Sequence, residues 1–245
     1  MEFDPSQFKQ VVQKHRVSCD DTPGMYSDDF NSMLITSSSR YPLIKGIIPK
    51  SVVHIQIVYD FSEPLEPGVI PNTVKSMGFI GKITQPLAPS VIPSSVTHVA
   101  FRHKNRYTLD PSVLPDSVLM VVIHDGSKLV LKHGSIPSSV TTLCLRRMKK
   151  PLITYTIPNS VDKLAIFRFN NPLKQGDIPD SVTKLSFGKR FNQPLKSEIV
   201  PPSITYLRVS RDFDQEIDLK LFPLLERLQH DGIFIPNIIP DFITI

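Results

Sequence analysis

The chain has 245 residues, of which 40% are hydrophobic and 21% charged, and a formal charge of +5 with no strongly one-signed block. No apolar run approaches the roughly 18 residues of a membrane span, which argues against a spanning chain. Cys19 and Cys144 are too few for a disulfide framework.

The opening residues MEFDPSQFKQ are polar and charged, so no signal peptide is expected, and a cytoplasmic, reducing setting follows. From Pro5 to Arg16, Phe8, Val11 and Val12 fall at helical spacing and predict a short amphipathic capping helix. Residues 18–29 are turn-rich. Phe30, Met33 and Ile35 lie 22 residues ahead of Val52, Ile55 and Ile57, which marks a degenerate opening repeat.

Then the repeat becomes regular. An apolar–Pro pair recurs at Pro49, Pro71, Pro93, Pro115, Pro137, Pro158, Pro179 and Pro201, at spacings of 22 or 21. A second column runs Leu65, Leu87, Leu109, Leu131, Leu152, Leu173, Leu195 and Ile217, with Leu43 one unit earlier. Each column Leu stands six residues before the next column proline, so the deletions fall in the loop before it. A segment that loses residues while its flanks keep register is an exposed turn. Self-similarity at this period signals a solenoid. Fourteen of the 23 prolines occupy registered columns, which makes them structural rather than a sign of disorder.

After each proline the apolar code is V-x-x-L-x-F, as in Val96, Val99, Phe101 and Val182, Leu185, Phe187. Its second half alternates with period two and predicts one short inward-facing strand per unit, all parallel. Prolines at both ends of the return segment leave no room for the ten or so residues of a useful helix. The expected fold is therefore an all-β-dominated solenoid, one parallel sheet with extended or 3-10 returns and few or no helices. Extended segments stack at nearly the sheet spacing, so a straight or gently twisted rod is expected. A Ser or Thr precedes the inward Val in eight units, from Ser51 to Ser203, where its hydroxyl can satisfy a backbone group left unpaired by the corner.

After Ile217 the stretch DLKLFPLLERLQHDG is either a cap or a last divergent unit, followed by the apolar IFIPNIIPDFITI. That tail either adds a strand or pairs with a second chain, giving a homodimer through the terminal segments. The division expected is 1–26 as N-terminal cap, 27–217 as repeats, and 218–245 as C-terminal cap and tail.

The FNQPL at Phe191–Leu195 and the IP-x-S-V at Ile178–Val182 resemble the FNIP repeat, a 22-residue leucine-rich-repeat-like unit of slime moulds and giant DNA viruses. The resemblance covers about residues 27–217. It implies a leucine-rich-repeat-like solenoid used for protein binding, in host cytoplasm or a viral factory if the chain is viral. Asn105 and Ser127 depart from its Phe column, and Thr108 and Val130 from its proline, which predicts irregular fourth and fifth turns. Many members carry an F-box that hands substrates to a ubiquitin ligase. The short stretch ahead of the repeats is too brief for that module, so an adaptor role would need another chain.

No catalytic, cofactor or metal site can be argued from these residues. His54 and His98 are two units apart, too far for one metal. Arg146 and Arg147 beside Cys144 favour a lowered thiol pKa, yet no base completes a pair. The outward strand positions are small in one row (Gly78, Ala100, Val122, Cys144, Ala165, Ser186), which predicts a shallow trough. Leu119, Met120 and Val122, flanked by Thr97, His98, Arg102 and His124, form an apolar spot ringed by polar groups, the candidate docking site for an unidentified host or viral protein. Basic residues after the strands (Arg146, Arg147, Lys149, Lys150, Lys189, Arg190) form a candidate edge for polyanions. Asp60, Glu63 and Asp125 interrupt that edge, so nucleic acid is the lesser expectation.

Overall fold

The computed structural model describes residues 16–17, 32–35, 43–57, 64–81, 85–101, 108–124, 130–146 and 151–230, with residues 16, 17 and 130 in backbone only. The expected helix before Arg16, the turn-rich 18–29, Cys19, Asn105, Ser127 and the tail from 231 onward lie outside these residues.

Within them, alternating apolar residues build one strand per unit: β1 (Arg16–Val17), β2 (Ser32–Ile35), β3 (His54–Ile57), β4 (Ser76–Phe79), β5 (His98–Phe101), β7 (Met120–Ile123), β9 (Thr142–Arg146), β10 (Lys163–Phe167), β11 (Lys184–Phe187), β12 (Tyr206–Val209) and β13 (Arg227–His230). They form an 11-stranded parallel sheet in that order. Like residues meet like: Ile55 faces Met77, Val99 faces Val121, and Leu164 faces Leu185. Behind the sheet the second column closes the core, with Leu65, Leu87, Leu109, Leu131, Leu152, Leu173 and Leu195 all buried. Each such side chain contributes about 1.5–3 kcal/mol. Phe rings stack along the interior, Phe79 on Phe101 at 5.3 Å and Phe169 on Phe191 at 6.4 Å between centroids. The parallel solenoid is the architecture expected, and the one 3-10 turn among the described residues is Leu219–Leu221.

Two corners define each coil. At the first, the residue after the column Leu accepts from the amide three residues on, as in Ile47 N to Ile44 O and Val69 N to Glu66 O. The third residue of this turn has positive φ, which is why Gly46, Gly68, Gly134 and Gly176 stand there. Tyr155 occupies the same place at φ 62°. At the second corner Val74 N donates to Pro71 O, and the motif recurs coil after coil.

The corner hydroxyls act between coils. Thr73, Ser95, Ser117, Ser139, Ser160, Ser181 and Ser203 each donate to the carbonyl of the inward Val one coil earlier, at 2.7–2.9 Å. Such a bond is worth about 1 kcal/mol net. The carbonyl that Ser51 would reach by the same register belongs to Phe30, outside the described residues.

Three features differ from the expectations. Arg16 is strand, not helix: β1 pairs with β2 through Arg16–Leu34 and Val17–Ile35, at a spacing of 18 that the 22-residue register does not reveal. Where the column proline is missing, β6 (Thr108–Leu109) pairs with β8 (Val130–Leu131) as a second, two-stranded parallel sheet, and the loops holding Asn105 and Ser127 lie outside the described residues. Thr108 and Val130 carry the backbone N–H that proline lacks, so the departure from the motif adds a donor. In the last coil the corner slips by one. Column spacing points to Pro223, yet Leu225 N donates to Phe222 O, and Phe222 is buried at the corner. Asp218 caps the 3-10 turn by accepting from Lys220 N, which shortens the approach to that corner. Residues 218–230 are thus a further divergent coil ending in β13.

Candidate interaction surface

Strand alternation turns every second strand residue outward, and the register lines these residues into rows. The row His54–Ser76–His98–Met120–Thr142–Lys163–Lys184–Tyr206–Arg227 crosses nine strands. Beside it runs Gln56–Gly78–Ala100–Val122–Cys144–Ala165–Ser186–Arg208–Gln229.

The second row contains the small residues expected to line a trough, and it is not open. Gln56 and Cys144 are 2% exposed and Ala165 is 5% exposed. Burial pushes the Cys144 thiol up to about 12, and Arg146 only partly offsets this. The thiolate character expected from Arg146 is therefore absent. Desolvation outweighs a single, half-buried guanidinium.

The apolar spot is assembled from β5, β7 and the residue before β7. Leu119 is 46% exposed, and Met120, Val122 and His124 are half-buried beside it. Thr97 and His98 adjoin through the pairing of His98 with Met120. Thr97 Oγ1 donates to Lys75 O at 3.2 Å and lies within hydrogen-bond distance of His98 Nδ1 at 2.8 Å. Upstream, His54 Nδ1 meets Ser76 Oγ at 2.7 Å. Burial lowers the pKa of both histidines, and the charge of His54 lowers that of His98 further, so both are neutral at pH 7. Arg102 lies outside the described residues.

Three members of the basic edge, Arg146, Lys189 and Arg190, fall among the described residues. Lys189 and Arg190 are exposed in the turn after β11. Arg146 is not in the turn: it ends β9 on the sheet face, its guanidinium 5.5 Å from the centre of the Phe167 ring. Phe167 in turn lies against Gly188, where a Cβ would stand 2.1 Å from the ring. Arg147, Lys149 and Lys150 lie outside the described residues. Among the described residues no group of three His, Cys, Asp or Glu is placed to hold a metal ion. Nor is any helix there long and apolar enough to cross a membrane.

Two surface features escaped the sequence reading. Ile153 and Tyr155 are 57% and 72% exposed on the return corner, and aligning Tyr155 with the glycine column would have exposed it. The cations Lys163, Lys184, Arg208 and Arg227 share the outward face of β10–β13. Their signal lay in the outward rows and was masked by the denser loop clusters.

The FNIP repeat family model matches residues 41–82, 130–167, 169–212 and 191–224, together more than half of the chain. The chain belongs to the FNIP-repeat family. A structure described as that of CroV588, a circular leucine-rich-repeat protein of a giant virus, is similar at a TM-score of 0.66 and 22% identity. The similarity covers 83% of this chain and 31% of that one, so this FNIP-repeat chain spans about a third of its neighbour. No curated protein matches the sequence. An FNIP, leucine-rich-repeat-like solenoid suggests a protein-interaction scaffold, a kind of fold that is typically non-catalytic.

Proposed function

We propose that this FNIP-repeat protein is a non-enzymatic interaction scaffold whose partner protein docks on the sheet face around Thr97, His98, Leu119, Met120, Val122 and His124. The exposure of Leu119 carries this reading: a leucine left 46% open on a sheet face is apolar area available to a partner. Its setting supports it, because burial keeps the neighbouring His98 in its neutral form, which costs less to desolvate than a fixed charge. Arg102, named with this site from the sequence, lies outside the described residues and stays part of the proposal on its sequence position alone. A reducing compartment suits the buried free thiol of Cys144.

The experiment is affinity capture from host cells with the wild-type chain and with Leu119→Asp and Met120→Asp. Loss of the captured protein in both variants, with unchanged thermal midpoints, supports docking there. Retention in both sinks it. The rival reading, polyanion binding through the edge, is favoured by exposed Lys189 and Arg190. It predicts that a Lys189→Glu/Arg190→Glu variant loses heparin affinity, whereas the docking reading predicts that this variant keeps its protein partner.

A further inference from the structure

The outward face changes character along the stack. From β9 to β13 it carries Arg146, Lys163, Lys184, Arg208 and Arg227 against Asp162 and Glu226. From β3 to β7 its one fixed charge among the described residues is Lys75. Lys163 and Lys184 are direct register partners, and the same row continues back through Thr142 to Met120. All five cations are half-buried, while Ala165 beneath them is buried. Lys163, Lys184 and Arg227 stand on the row beside Ala165, and Arg208 continues the row of Ala165 itself.

We propose that β7 to β13 bind an acidic, amphipathic segment of a partner protein. Its carboxylates sit on Lys163, Lys184, Arg208 and Arg227, and its apolar residues on Leu119 and Met120. This rests on the docking reading above and names the chemistry of the partner. From Met120 to Arg227 the row makes five strand steps, about 24 Å, the reach of about seven extended residues.

A nucleic acid fits this surface less well. The two rings that would stack on bases already have guanidinium groups over them: Arg146 lies 5.5 Å from Phe167, and Arg227 lies 5.7 Å from Tyr206. Base stacking is the sequence-tolerant attraction such a strand would need. Leu119 and Met120 would also have no apolar group to meet.

The test uses the full chain and a fluorescent peptide of repeated Glu-Glu-Leu triplets, read by anisotropy at low and physiological salt. The expected result is salt-sensitive binding weakened about tenfold or more by Lys163→Glu/Lys184→Glu, because fully opposed charge pairs are lost and replaced by repulsion. Lys189→Glu/Arg190→Glu should leave it within about twofold. Circular dichroism and the thermal midpoint confirm that each variant folds. Binding unchanged by Lys163→Glu/Lys184→Glu overturns the inference, as does tighter binding of an oligothymidylate lost in that same variant. A Gln-Gln-Leu peptide bound as well as the acidic one, and lost with Met120→Asp, overturns the acidic preference while the docking reading stands. If neither peptide binds, the inference fails, and the docking reading is judged by its own capture experiment.

Discussion

Strands β3 to β7 and strands β9 to β12 bury the same kinds of side chain, yet present opposite chemistry to solvent. Ile55, Met77 and Val99 in the first set and Leu164, Leu185 and Leu207 in the second are all at most 2% exposed. Outside, the first set offers histidine, methionine and valine, and the second lysine and arginine. The stacking requirement fixes the inward positions and is indifferent to the outward ones. Differences in function therefore belong on the outward face, where each coil can vary without disturbing its neighbours.

The largest expected effect tests the shared interior. Ile55→Ala in β3 and Leu207→Ala in β12 should each cost about 2–5 kcal/mol in urea unfolding, since both sites are fully buried. A cost confined to one half would show that the two interiors are not equivalent. Next, Gly188→Ala should cost about 1–3 kcal/mol, because its Cβ would overlap the Phe167 ring. Adding Phe167→Ala should recover part of that loss, a coupling that a double-mutant cycle measures. Removing a corner hydroxyl in either half, Ser95→Ala or Ser181→Ala, should each cost about 1 kcal/mol of stability.

Acidification separates the halves more gently. His54 and His98 have folded pKa values below the ordinary 6.5, so the unfolded chain binds more protons than the folded one. Their contribution is full above pH 6.5 and is lost as pH falls from there through the lowered folded values. A His54→Gln/His98→Gln variant should show a flatter thermal midpoint between pH 7 and pH 5. A midpoint equally steep in both proteins would place the pH response elsewhere. The smallest effect is expected at Lys163→Glu/Lys184→Glu, whose stability should change by less than about 0.5 kcal/mol while its binding changes most.

The interior was legible because its signal is repeated. Val, Leu and Phe at fixed offsets, and a hydroxyl before each inward Val, return often enough that no other period accommodates them. What stayed hidden depended on single events. β1 joins the sheet 18 residues before its partner, outside the register. Thr108 and Val130 read as a damaged motif, although what they add is an amide hydrogen. Cys144 occupies an outward position and is nonetheless buried, with Val122 and Ala165 as its register partners in the adjacent coils. The basic row was present among the outward residues, but adjacency across strands matters more to it than density along the chain.

The corner hydroxyls reach one coil back and no further. Register is thus decided locally, by a handshake between adjacent turns that is blind to the total number of turns. Whole coils can be duplicated or excised without renegotiating the rest, as long as each new corner supplies its Ser. The protein's length then becomes an adjustable ruler, and the distance between its apolar spot and its cationic row a quantity that evolution, or an engineer, can set one turn at a time.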